Sequence, residues 1–251
     1  MNPSFFGPPG EQLLGIHHPA RGASKSHGVV LCPPAPQETA RTHWAFRKLA
    51  ELLSKAGFDV LRFDYRGTGD SSGELENTSP AMWIEDIRRA TKELKDLTGL
   101  RKVSAVGFRF GALLLARAAS EGLSLEKLVL WEPVVSAANW LERLRLLERQ
   151  QYRDLSRPPK EDPSIVLGFV MTDALLAEWQ ALELTDVPIW AAKTAIVASE
   201  RSAHLDRLQR HLDRHHQTTS WHYVDAAGAE AKKAGALLGN EALEQIAQVL
   251  K

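Results

Sequence analysis

Residues 103–116 have the sequence VSAVGFRFGALLLA, and the hydrophobic pattern of this stretch changes in its middle. The first half is a short apolar run of the kind that forms a buried strand. The run breaks at Gly107, after which the pattern becomes that of a helix rich in leucine and alanine. The stretch therefore predicts a strand, a sharp turn and a helix.

The turn carries two glycines, Gly107 and Gly111, with Arg109 midway between them. This spacing is that of the nucleophile elbow Gly-x-Ser-x-Gly, in which the glycines let strand and helix approach closely around a strained residue. Arginine has no attacking oxygen and stays protonated at any ordinary pH. The turn is therefore typical of a hydrolase, whereas its central residue is not a nucleophile.

Length and composition limit the kinds of protein that this chain can be. Its 251 residues, 44% of them apolar, predict a single domain over residues 1–251. Lysine plus arginine and aspartate plus glutamate each number 31, so we expect no nucleic-acid partner. Cys32 is the only cysteine and cannot form an internal disulfide, which fits a reducing compartment.

Targeting, membrane and cofactor signals are not found in the sequence. The start lacks a basic region followed by an apolar run, and no stretch holds 18 consecutive apolar residues. Gly67 and Gly69 lack a third glycine opening a helix, so no dinucleotide site is predicted. We expect a cytoplasmic protein without a membrane span and without a cofactor.

Strands and helices alternate along most of the chain. Predicted strands are two antiparallel edge strands within 4–19, then 29–32, 59–63, the run that starts at residue 103 and breaks at Gly107, 128–131, 194–198 and 220–224, and predicted helices are 42–55, 83–97 and 241–250. Such alternation predicts an α/β fold with a mostly parallel sheet covered by helices on both faces.

The alternation is interrupted at about residues 134–190. An insertion of this length between strands is commonly a lid, and two helices are predicted within it at 139–153 and 172–184. Trp140 and Trp179 offer two interpretations: an oligomerisation interface, or a lid that packs on its own core.

Residues 61–73, with the sequence LRFDYRGTGDSSG, and the glycine-flanked turn give the chain a specific resemblance. Over nearly its whole length it resembles the α/β-hydrolase fold, of the serine aminopeptidase-like branch. That resemblance implies a central sheet of about eight strands with a helical lid. The stretch LWEPVVS at 130–136 and the arginine-centred elbow are similar to hydrolase-like proteins found with exosortase and exopolysaccharide systems.

The resemblance also implies a pocket at the carboxyl ends of the strands and a triad in the order Ser, Asp or Glu, His. Arg109 stands at the nucleophile position and Glu200, two residues after a predicted strand, stands at the acid position. The base position is empty, because the loop at 225–231 has no histidine and none follows His222. We therefore assign no catalytic residue. His204 could turn inward, but it has no nucleophile to deprotonate.

Other nucleophiles and a metal site are poorly supported. Ser71 and Ser72 lie on a loop that is structural in this fold. Cys32 is interpreted as a small, buried apolar residue. His211, His215 and His216 share a helix in which charged residues are dense, so a solvated helix is favoured and no metal is predicted.

The start of the predicted helix after Arg109 favours anions, so something negative should lie close to this cation. An internal carboxylate, from Glu38, Glu132 or Glu200, could pair with the guanidinium and plug the pocket.

A bound ligand is the alternative source of negative charge. In that interpretation the Phe110 amide and loop amides near Pro34 and Ala35 join Arg109 in a site for a carboxylate, phosphate or acyl group. Both interpretations of Arg109 remain open from sequence.

Two functional hypotheses follow from these residues. The first is a binding or assembly protein of a polysaccharide or envelope pathway that keeps a hydrolase fold without serine-hydrolase activity. The second is an active hydrolase of small esters or thioesters that uses Cys32, or a water oriented by Glu200, as its nucleophile. A protein partner or a homo-oligomer is compatible with the first.

Overall fold

The structure is a computed structural model and describes residues 1–153, 156, 162–186, 188, 193–224 and 239–251. Its strands are β1 Asn2–Phe6, β2 Leu13–His18, β3 His27–Cys32, β4 Asp59–Phe63, β5 Lys102–Phe108, β6 Lys127–Trp131, β7 Ile165–Val166, β8 Phe169–Val170, β9 Lys193–Ala198 and β10 Thr219–Tyr223. Its α-helices are α1 Pro36–Lys55, α2 Pro80–Thr98, α3 Phe110–Ser120, α4 Ala137–Tyr152, α5 Asp173–Gln180, α6 Ala203–Arg214 and α7 Asn240–Leu250.

Eight strands form one sheet in the order β1-β2-β4-β3-β5-β6-β9-β10. Strand β2 pairs antiparallel with β1 and with β4, and the remaining pairings in this sheet are parallel. The predicted mostly parallel sheet is therefore confirmed, as is the antiparallel pair at its start, although β2 lies inside the sheet and only β1 is at the edge. β7 and β8 form a separate two-stranded hairpin, which the sequence analysis did not predict.

Each face of the sheet has its own hydrophobic core. On one face, Ile87 of α2 and Leu113 of α3 belong to the same cluster as Ala105 of β5. On the other face, Phe46 of α1 and Ile246 of α7 belong to the same cluster as Val106 of β5. Because β5 is buried on both faces, its sequence is a nearly continuous apolar run rather than an alternating one.

The predicted start of the first helix is wrong by six residues. The predicted helix begins at Thr42, whereas α1 begins at Pro36. Proline is tolerated in the first turn of a helix because the amide that it lacks would have no intrahelical acceptor there. The earlier start matters for the site, because it places Glu38 in the first turn of α1.

The segment between β6 and β9 contains α4, the β7–β8 hairpin and α5. Helix α5 is shorter than the helix predicted at 172–184. Trp140 and Trp179 pack against Phe110 of α3, with ring centroids 5.0 and 4.3 Å from it. Both tryptophans are buried, so neither forms an exposed interface on this chain. Within the described residues, no helix is long and apolar enough to cross a membrane.

Candidate functional site

Arg109 connects β5 to α3 in a backbone conformation that non-glycine residues rarely adopt. Its φ is 54° and its ψ is −116°. Its amide donates to the Trp131 carbonyl at 3.0 Å, and its own carbonyl accepts from the amides of Ala112 and Val134. A strained conformation of this kind costs about 1–3 kcal/mol and persists only when surrounding contacts hold it. The geometry is that of the elbow which the glycine spacing predicts.

The glycines on either side of Arg109 are required by close backbone contacts. A Cβ at Gly107 would lie 2.6 Å from the Ala112 Cα, and a Cβ at Gly111 would lie 2.1 Å from the Pro33 carbonyl oxygen. Neither contact is sterically possible. The elbow therefore keeps the tight packing between β5, α3 and the end of β3 that its sequence pattern implies.

The Arg109 side chain is held by Glu38 from the first turn of α1. Its Nε donates to the Glu38 Oε1 at 3.0 Å, and the two side chains are 27% and 15% exposed. The other Glu38 oxygen, Oε2, is buried without a hydrogen-bond partner among the described residues. No partner in the described part of the chain is recorded for the two terminal nitrogens of Arg109, so only one edge of the guanidinium is engaged.

Glu132, the residue after β6, has a different partner from the one considered in the sequence analysis. Its Oε1 accepts from the Ser199 amide at 2.6 Å, and its own amide donates to the Val197 carbonyl at 2.8 Å. Its φ of 45° is a second positive value at a strand end. The carboxylate therefore links the ends of β6 and β9 rather than pairing with Arg109.

A cavity of about 260 Å³ opens beside Arg109 at the carboxyl ends of β5, β6 and β9. It is lined by Arg109, Glu132, Pro133, Val134, Val135, Ser136, Asn139, Trp140, Arg143, Ser199, Glu200, Ser202, His204 and Leu205. Two arginines, two glutamates and one histidine thus share its wall. Glu200 and His204 are both exposed at this wall. We refer to this cavity as the cleft.

The cleft contains three of the six residues proposed as ligand contacts from sequence: Arg109, Glu132 and Glu200. The other three, Phe110, Pro34 and Ala35, are buried and are not part of its wall. The Ala35 carbonyl accepts from the amide of Glu38, because the helix begins one residue later than Ala35. The early start of α1 thus puts the Glu38 carboxylate beside Arg109, as one of the two open interpretations supposed, and leaves Pro34 and Ala35 away from the cleft.

The three alternative nucleophiles considered from sequence, Cys32, Ser71 and Ser72, are hydrogen-bonded or buried. Cys32 is completely buried, and burial raises the pKa of its thiol far above the ordinary range, so it stays protonated. The Ser71 hydroxyl donates to the Asp64 carbonyl and accepts from the Leu14 amide. Ser72 donates to the Gln12 carbonyl. These serines hold the loop after β4 against β2.

His222, the last histidine of the chain, does not line the cleft. His222 bonds to Ser220 and Gln245 through its two ring nitrogens. The loop at 225–231, in which the base was expected, lies outside the described residues. No group of three or more metal-ligating side chains occurs among the residues that were described.

Sequence reasoning missed Arg143 and Asn139, which reach the cleft from the first turns of α4. The available signal was the Ser136 side chain, which caps α4 by accepting from the Asn139 amide. A cap at that position fixes the helix start beside the end of β6, and so brings the next turns to the cleft.

The sheet order and the elbow give this chain the α/β-hydrolase fold, as predicted. The model of the alpha/beta hydrolase fold family matches residues 29–151. Est1E from Butyrivibrio proteoclasticus is similar in structure, with a TM-score of 0.67 and 14% identity over 99% of this chain and 96% of that one. Also similar is an alpha-beta serine hydrolase homologue from Coxiella burnetii, with a TM-score of 0.58 and 15% identity over 99% and 95%.

Mouse alpha/beta hydrolase domain-containing protein 10 matches with a TM-score of 0.63 and 14% identity, over 100% of this chain and 97% of that one. Among curated proteins, the uncharacterized 31.7 kDa protein of the traX-finO intergenic region of Escherichia coli is 50% identical over 38 residues. That match spans 15% of this chain and 13% of the relative. At these levels of identity, the structural similarity defines the fold alone.

Proposed function

We propose that this chain is a non-catalytic protein with a hydrolase fold, a pseudohydrolase whose cleft binds a ligand and performs no acyl transfer. The observation that carries the proposal is Arg109, which occupies the strained elbow position and is tied to Glu38. In an active serine hydrolase that position presents a hydroxyl beside an imidazole. A guanidinium there cannot attack a carbonyl.

The ligand that we propose for the cleft is a small anion or an acyl group with a negative charge. The free edge of the Arg109 guanidinium and the side chain of Arg143 supply cationic donors on one wall. Glu132 is already engaged with the Ser199 amide, which reduces its repulsion of an anion. The aromatic rings of Trp140 and Phe110 pack together under the insertion and leave little room there for a long acyl chain.

The biological context that we propose rests on resemblance. The arginine-centred elbow and residues 130–136 are similar to hydrolase-like proteins found with exosortase and exopolysaccharide systems, within the serine aminopeptidase-like branch. We therefore propose a cytoplasmic binding or assembly role in polysaccharide or envelope biosynthesis. Residues 134–190 would act as the cap of a single domain. Binding of a protein partner or a second copy would depend on whether the cleft holds its ligand.

An active hydrolase is the second candidate, and it is favoured by one observation. Glu200 and His204 both line the cleft, and a water held between them would have a general base. This candidate needs a covalent or water-based mechanism without an elbow nucleophile, so we rank it second.

Labelling with a fluorophosphonate probe tests the proposal, because the probe reacts only with an activated serine. We expect the purified chain to remain unlabelled under conditions in which an active serine hydrolase is labelled fully. Stoichiometric labelling that disappears in one Ser→Ala variant would overturn the proposal. A Cys32→Ser variant controls for reaction at the thiol.

A further inference from the structure

A second and larger cavity lies between α1 and the outer strands β2 and β4. Its volume is about 460 Å³. It is lined by Leu14, Ile16, Pro33, Thr39, Ala40, Thr42, His43, Phe46, Arg62, Phe63, Asp64, Gly69 and Asp70. None of these residues lines the cleft beside Arg109, so the two cavities are separate. We refer to the second cavity as the α1 pocket.

Arg62 is the most unusual residue of this pocket. It comes from the middle of the sheet, in β4, and is only 7% exposed. Its Nε donates to the Nε2 of His18 at 3.2 Å, and His18 is 3% exposed. No ion pair with a carboxylate is recorded for it in the described part of the chain, and its terminal nitrogens have no protein acceptor there.

A buried guanidinium normally has a carboxylate partner, because an uncompensated charge is costly away from water. His18 does not compensate that charge. Burial, followed by the repulsion from Arg62, lowers the pKa of His18 to about 4, so the imidazole is neutral at neutral pH. Arg62 therefore brings a full positive charge to the pocket, with two donor groups that no described side chain uses.

Asp64 brings the opposite charge to the same pocket without pairing with Arg62. Its Oδ2 accepts from the Asp70 amide, at 3.4 Å, and the Asp64 side chain is half-buried. Asp70 adds a second carboxylate to this side of the wall. A ligand with negative charge alone would be attracted by Arg62 and repelled by both aspartates.

The rest of the wall is mainly apolar. Leu14 and Ile16 of β2 and Phe46 of α1 line the pocket together. A volume of this size lies within the range of about 300–1,000 Å³ that small-molecule sites occupy. The pocket therefore combines a buried cation, a separate carboxylate and an apolar wall.

We propose that the α1 pocket binds a zwitterion with an apolar side chain, as in a free apolar α-amino acid. The ligand carboxylate accepts from the terminal nitrogens of Arg62 in a two-bond arrangement. Its ammonium group lies toward Asp64, and its side chain lies against Leu14, Ile16 and Phe46. Each charge of the ligand then meets an opposite charge, and binding adds no net charge to the pocket.

Isothermal titration calorimetry with three matched probes tests this assignment. L-leucine carries both charges, 4-methylpentanoate lacks the ammonium group, and 3-methylbutylamine lacks the carboxylate. We expect leucine to bind at least about tenfold more tightly than either of the other two. Equal binding of all three, or no binding of leucine, would overturn the proposal.

Two variants place the binding in this pocket. Arg62→Met keeps the length of the side chain and removes the charge, and we expect it to abolish leucine binding. Ala40→Trp obstructs the pocket from an exposed position on α1, leaves Arg62 in place, and should have the same effect. Arg88→Met, at an α2 residue paired with Glu121, is the matched control and should bind normally. Leucine binding that survives both Arg62→Met and Ala40→Trp would contradict the assignment.

Discussion

Arg109 and Glu38 form an ion pair whose contribution can be measured directly. Because their side chains are 27% and 15% exposed, water screens them less than it screens a surface pair. We expect a double-mutant cycle with Glu38→Gln and Arg109→Met to give a coupling of about 1 kcal/mol in the free energy of unfolding. Urea unfolding of the four proteins supplies the measurement.

Helix α1, which carries Glu38, also contains a control pair for this cycle. Arg47 and Glu51 form an ion pair at 2.9 Å, but their side chains are 56% and 40% exposed. An exposed pair four residues apart contributes about 0.3–0.5 kcal/mol. If the coupling of Arg109 with Glu38 is no larger than that of this surface pair, Glu38 does not fix the elbow arginine.

His18 should make the stability of the fold depend on pH. Its pKa is lowered from 6.5 to about 4, mainly by burial, so the unfolded chain takes up a proton that the folded chain excludes. Stability rises with pH wherever the unfolded state binds more protons. The free energy of unfolding should therefore fall as the pH is lowered from about 6.5 to about 4.

A His18→Gln variant isolates this effect from that of the carboxylates. Glutamine can still accept from the Arg62 Nε, but it does not titrate. In the unmodified chain, protonation of His18 should lower the free energy of unfolding by on the order of 2 kcal/mol across this pH range. We expect the variant to lack this decrease. Parallel pH profiles for the two proteins would show that the imidazole does not remain neutral in the fold.

At the scale of elements, the apolar runs and the glycine spacing were sufficient to predict most of the sheet. Strand β4 has the predicted bounds of 59–63, and the elbow forms around Arg109 as the two glycines imply. These elements were predictable because each depends on a local pattern that burial on both faces imposes.

Two other features of the elements were not predicted from the sequence pattern. The start of α1 at Pro36 reflects the permissive position of proline in a first helical turn, where its missing amide has no cost. The hairpin of β7 and β8 has two residues in each strand, too few for an alternating pattern to be recognised.

Candidate contacts between distant segments were only partly predictable. Glu38 was one of three carboxylates considered for Arg109, and only the register of α1 against the elbow selects it. The α1 pocket gave one sequence signal, an arginine inside the apolar strand at 59–63. Its neutral histidine neighbour, 44 residues away, becomes evident only when β2 pairs with β4.

At the scale of the whole molecule, the α/β-hydrolase fold surrounds an elbow whose central residue is an arginine. The strained backbone and the close glycine contacts persist around Arg109, although the side chain that they present is a cation. The aromatic cluster of Phe110, Trp140 and Trp179 fills the space beneath the insertion. These features suit a protein that keeps a rigid cleft for binding.

Turnover of short-chain 4-nitrophenyl esters and of a short acyl thioester tests the central claim most directly. On the non-catalytic account that we propose, the unmodified chain, Glu200→Gln and His204→Ala should all hydrolyse these substrates at the rate of buffer alone. Saturable turnover by the unmodified chain that is lost in Glu200→Gln or His204→Ala would contradict the non-catalytic account.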